Sequence, residues 1–109
     1  MMKKKFYMLI ADGNKLLKVK VLGEDFDKHN FIVNMDEQSD FVKSRWMYFT
    51  WAIVDKNTGI YVASEDDKDK CIKDYNFAKE YLEKVYKTDI HKNAIKDFDL
   101  MGVVNENDD

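Results

Sequence analysis

The sequence predicts an α+β domain: a mostly antiparallel sheet of about five strands from the amino-terminal half, followed by one long and one short helix that pack on it. Three observations carry this expectation. Residues 5 to 63 break into short apolar or alternating runs separated by turn signals. From Cys71 onward apolar residues recur at intervals of three and four, the period of a helix with one oily face. With 109 residues, 45% of them hydrophobic, the chain can bury one core but not two. Residues 1–104 are therefore expected to form a single domain, with 105–109 as an acidic, frayed tail.

Lys5 to Ala11 is an apolar run closed by Asp12-Gly13-Asn14, and Lys15 to Leu22 then alternates Leu17, Val19 and Val21 with Lys18 and Lys20. The pair reads as a β-hairpin whose second strand keeps a wet, lysine-lined face. Gly23-Glu24-Asp25 reads as a turn, Asn30 to Asp36 as a third strand, and Asp36 to Ser44 as irregular chain. Arg45 to Asp55 is aromatic and β-branched on both faces, as expected of a central strand. Lys56-Asn57-Thr58-Gly59 has hairpin-loop composition, with the return strand at Ile60 to Ala63.

The long helix is expected after Ser64, which would cap it, with Glu65, Asp66 and Asp67 at its positive end and Lys84 and Lys87 at the other. Cys71, Tyr75, Ala78, Leu82 and Val85 form its apolar stripe. Thr88-Asp89 can cap a second helix in which Ile90, Ala94, Ile95 and Phe98 share a face. Leu100 to Val104 reads as a short strand or strap.

The formal net charge is −3, unevenly spread: residues 1–20 hold six lysines and one aspartate, residues 88–109 two lysines and six acids. Net acidity, with Arg45 the only arginine, argues against sequence-reading nucleic-acid binding. No apolar run reaches the roughly 20 residues that cross a bilayer, so no membrane role is expected. Cys71 is the only cysteine and cannot form an internal disulfide, which suits a reducing cytoplasm.

No cofactor, metal or catalytic motif is present. Cys71 lies on the apolar stripe and reads as a core residue, and His29 and His91 read as surface residues outside any zinc spacing. Asp25, Asp27 and Asp36 occupy positions one, three and twelve of a calcium-loop frame, but the glycine at six and the terminal glutamate are missing. The scattered glycines make no phosphate cradle. Lys43 to Trp51 combines a basic lead-in with four aromatics. A core strand explains it best, and exposure of Trp46, Tyr48 or Trp51 would make it a partner-binding hot spot instead.

The strand order, the Asp55 to Ile60 hairpin and the charged helix behind it resemble small accessory proteins carried by phages and mobile elements of AT-rich bacteria. That resemblance implies a non-enzymatic inhibitor, of the kind that includes anti-CRISPR proteins, blocking a larger protein partner such as a nucleic-acid-handling defence enzyme of the host cell. Such a protein would act by occlusion or acidic mimicry, with Asp66, Asp67, Asp69, Asp97 and Asp99 as candidate acidic contacts and Trp46 and Tyr48 as candidate apolar anchors. Two alternatives stand beside it. One is a nucleic-acid-binding module that combines the amino-terminal lysines with the aromatic strand; the other is a small enzyme without a familiar motif.

Overall fold

A computed structural model describes residues 3–46 and 48–103. Its elements are β1 (Lys4–Asp12), β2 (Lys15–Asp25), β3 (Asn30–Asn34), a 3-10 turn (Met35–Glu37), α1 (Asp40–Arg45), β4 (Trp51–Asp55), β5 (Tyr61–Glu65), α2 (Lys68–Val85) and α3 (Asp89–Leu100). The five strands form one antiparallel sheet in sequence order, as expected of an α+β chain with short connections.

β1 and β2 pair without interruption from Lys4↔Gly23 to Asp12↔Lys15. Gly13 has φ +62° while Asn14 stays negative, the pattern of a type II′ hairpin turn. β2 then pairs β3 only at Glu24↔Ile32 and Asp25↔Phe31, so the rest of the hairpin splays away and curls the sheet. Gly23, expected in a turn, is instead inside β2. A Cβ there would sit 2.8 Å from the Phe31 ring and 2.9 Å from the Ile32 carbonyl, so glycine is what lets β2 cross onto β3. The Phe31 ring in turn stacks on Phe6 at 4.1 Å.

The curl creates two cores. Met8, Ile10, Val19, Val21, Phe31, Val33, Ala52 and Val54 fill the concave side together with Met35, Val42 and Trp46. On the convex side of β3–β5, Ile32 and Ile53 meet Cys71 and Tyr75 of α2. Each fully buried aliphatic or aromatic side chain contributes about 1.5–3 kcal/mol, so both layers matter to folding.

The stretch 36–50 departs most from expectation. The chain expected to be irregular holds α1, and the aromatic strand expected from Arg45 begins only at Trp51. Local capping decides this. Asn34 Oδ1 accepts from the Asp36 amide, Ser39 Oγ accepts from the Val42 amide, and Asp40 and Arg45 suit the two ends of the helix. Gln38 then takes the place of a strand beside β2: its Oε1 accepts from the Leu22 amide (2.8 Å) and its Nε2 donates to the Leu22 carbonyl (2.9 Å). Met47, expected on one face of that strand, lies outside the described residues.

The remaining differences are at element ends. β3 stops at Asn34, two residues early, where the 3-10 turn begins. Ser64 and Glu65 belong to β5, and the cap of α2 is Asp67, whose Oδ1 accepts from the Lys70 amide. Thr88 caps α3 as expected, with its hydroxyl accepting from the His91 amide. In α3 only Phe98 is buried and Ala94 and Ile95 are half-buried, while Ile90 is 82% exposed, because the helix meets the sheet through His91 and Phe98 and turns Ile90 outward. Leu100 is the last residue of α3 and not a strand, and Val103 makes an isolated parallel bridge with Lys18. The expected tail, 105–109, and Val104 lie outside the described residues.

Lys18 is not on a wet face. Its ammonium donates to the Phe98 carbonyl (2.9 Å) at the carboxy-terminal end of α3 and lies over the Phe98 and Tyr7 rings. A cation beside the last carbonyls of a helix and between two aromatic faces is well compensated for its burial.

Candidate functional site

The exposed aromatic side chains worth the most attention surround Trp46. Its indole is buried at the mouth of the concave core, where its Nε1 donates to the Phe49 carbonyl at 2.6 Å. Tyr48 and Tyr61 meet the indole edge-on at 5.5 and 5.1 Å. Both rings remain open to solvent, Tyr48 at 63% and Tyr61 at 42%, with Phe49 and Ile60 also exposed. Trp46 is thus a buried seat and Tyr48 an exposed face of one aromatic group. Rings fixed in this way lose little conformational entropy when another surface covers them. Tyr61 was not singled out in the sequence, because strand position alone does not reveal that its neighbour across the core is a tryptophan from a different segment.

The acidic candidates do not form one patch. Asp97 and Asp99 flank Phe98, whose ring packs against Gly59 at the start of the β4–β5 hairpin's return, the end that also carries Tyr61. Asp66, Asp67 and Asp69 follow the far end of β5, a five-residue strand and so about 17 Å away along it. Asp67 is committed to capping α2, whereas Asp66 and Asp69 are exposed. A second set of exposed rings, Phe77 and Tyr81, lies on α2 beside its buried stripe.

A polar network ties the loops below α2 and α3 together. Asp27 Oδ1 accepts from the amides of His29 and Asn30 and from Asn30 Nδ2. Asn30 Nδ2 also donates to the Tyr75 hydroxyl (3.0 Å), Tyr75 donates to Asp27 Oδ2, and Tyr86 donates to Asn30 Oδ1 (3.3 Å). Burial would raise the Asp27 carboxyl, but these donors outweigh it and hold it below the usual aspartate value. Burial pushes Tyr86 up to about 12 and raises Tyr75 further.

The histidines are not surface residues. His29 stacks on Tyr86 at 4.1 Å, and His91 meets the same ring at 4.9 Å while its Nε2 lies 3.2 Å from Asp55 Oδ2. The His91 side chain is only 9% exposed. Tyr86 recruits both because its broad ring fills the corner between α2 and α3. Asp55 meanwhile builds the next turn, accepting from the Asn57 and Thr58 amides.

Cys71 faces the convex core with no exposed surface, its sulfur 3.9 Å from the Trp51 carbonyl. Burial first, then Asp74 and Glu65, push its thiol up to about 11. Native protein is expected to react with a disulfide reagent at least about 100-fold more slowly than the urea-unfolded chain, measured by thiolate release, because the thiol is inert both by access and by protonation. The first two acids of the calcium-like frame are engaged elsewhere: Asp25 holds Lys4 and Lys56, and Asp27 belongs to the network. Among the described residues no group of three or more histidine, cysteine or acidic side chains is placed to hold a metal ion, and no helix is long and apolar enough to cross a membrane. No protein-family model, curated protein or solved structure matches this chain.

Proposed function

We propose that this protein is a non-catalytic binding module that docks on a larger protein through the aromatic group seated on Trp46. The observation that carries the reading is the pair Tyr48 and Tyr61, both exposed yet braced edge-on against a buried indole. Tyrosine and tryptophan dominate interface hot spots because they bring large area at small entropic cost. A nucleic-acid-handling defence enzyme is the partner class that the phage-like resemblance implies, and steric occlusion is the mode that fits best. Acidic mimicry has less support, since the carboxylates are divided between the two ends of β5.

Direct nucleic-acid binding also draws less support. That reading needs the amino-terminal lysines and the aromatics on one face. Lys3 pairs with Glu37 and Lys4 with Asp25, at the end of the hairpin remote from the Asp12–Arg45 pair that leads into Trp46.

The test is affinity capture with the tagged chain, comparing wild type with Tyr48→Ala and with the pair Asp66→Lys, Asp69→Lys. A hot-spot tyrosine is worth about 2 kcal/mol, so Tyr48→Ala is expected to weaken the captured complex on the order of 30-fold, while the charge reversals leave it nearly unchanged. Equal capture by wild type and Tyr48→Ala would remove the aromatic reading.

A further inference from the structure

The outer edge of β2 presents a gap in its hydrogen bonding. Because the β1–β2 register is unbroken, backbone groups on β2 alternate between facing β1 and facing away. Leu22 faces away, since Gln38 binds both its amide and its carbonyl, and Glu24, Lys20 and Lys18 share that parity. Glu24 is paired with Ile32, and Lys18 is bridged by Val103. Lys20, between them, has no partner for its outward backbone groups among the described residues. Beside it opens a cleft of about 430 Å³, floored by Val21, Val42 and Phe41 and bordered by Lys5, Tyr7 and Lys20. Among the described residues no carboxylate lines it.

We propose that this cleft takes a short extended acidic peptide from a partner protein, which adds to the edge of β2 at Lys20. Three features select this occupant. Outward amide and carbonyl groups at a strand edge are the groups that an added extended backbone pairs with. Val103 already lies parallel to this edge at Lys18, so the space beside β2 accepts main chain. The charged groups at the border are cations, and Lys5 and Lys20 lie on the same face of the hairpin, whereas the floor is apolar. A strand whose alternate side chains are carboxylates and small aliphatics matches both sides at once. This surface is separate from the Trp46 group and does not depend on it.

The experiment uses a fluorescein-labelled peptide alternating glutamate and valine, read by anisotropy on the full chain, with amide hydrogen exchange followed in parallel. Saturable binding is expected, with slowed exchange at Lys20. Binding weakens at least roughly tenfold in the Lys5→Glu, Lys20→Glu double variant and falls as salt rises. The same peptide N-methylated at alternate amides loses binding, and Tyr48→Ala leaves it unchanged. Equal binding of the N-methylated peptide, which bulk charge alone would give, overturns the proposal. So does protection confined to β5, absence of binding, or a concentration-dependent dimer that protects Lys20 without peptide.

Discussion

Gly59→Ala is expected to destabilise the protein by about 2–4 kcal/mol, the sum of a left-handed backbone penalty and an overpacking penalty. The backbone term arises because Gly59 has φ +69°, where a Cβ meets its own chain. The packing term arises because that Cβ would lie 2.6 Å from two atoms of the Phe98 ring and 3.2 Å from the Leu9 amide nitrogen. Neither neighbour yields easily. The Leu9 amide donates to the Gly59 carbonyl at 2.8 Å and so joins β1 to the β4–β5 turn, while Phe98 is the buried contact of α3. Thermal unfolding by circular dichroism is expected to show Tm lower by on the order of 10–20 °C. In a double-mutant cycle Phe98→Ala relieves the ring clash but not the φ penalty, so the two substitutions together should cost less than their sum. Strict additivity would show that the ring contact is not what forbids alanine.

Asn30→Ala is expected to cost about 3 kcal/mol, because it strands partners instead of merely removing a contact. Asn30 is fully buried, and its amide is the junction of Asp27, Tyr75 and Tyr86. Urea titration gives the loss directly. The pH dependence of stability supplies an independent check. Asp27 sits below its usual value of 3.8, so the stability it contributes is present above that pH and is lost as pH falls through the lower, folded value. Tyr86, raised to about 12 mainly by burial, acts in the opposite sense: its contribution is whole below pH 10 and is lost as pH rises towards 12. The acid limb should flatten in Asn30→Ala, because the Asn30 side chain is one of the donors that hold Asp27 low. An unchanged acid limb would mean that Asn30 does not set the electrostatics of this corner.

A one-dimensional pattern reaches only as far as neighbouring residues decide the geometry. The hairpin turn at Gly13, the hairpin loop ending at Gly59 and the Thr88 cap were legible because each is decided by a few adjacent residues. The stripe of α2 was legible in its first half, where Cys71 and Tyr75 are buried, and less so beyond it, where Ala78, Leu82 and Val85 are only half-covered. What could not be read was set by distant chain. Gln38 looks like a loop residue until Leu22 is placed beside it, and Lys18 looks solvated until α3 lands on it. The stretch before Trp51 misled because aromatic residues suit a strand and a helix cap equally well, and the Ser39–Asp40 start was the discriminating signal. Trp46 and Tyr48 were named from composition alone, while their partnership with Tyr61 needed the curl of the sheet.

Lys18 has one more implication. A helix fastened by one ammonium, one ring in a glycine notch and the His91 contact with Asp55 and Tyr86 is held by a handful of specific points and not by a broad oily seam. Detachment of residues 89–100 would uncover the Phe98 ring but leave both sheet cores in place, so this helix is expected to open at a lower free energy than global unfolding. Acylation of that single amine, which removes its charge and enlarges its tip, would shift the balance towards the opened form.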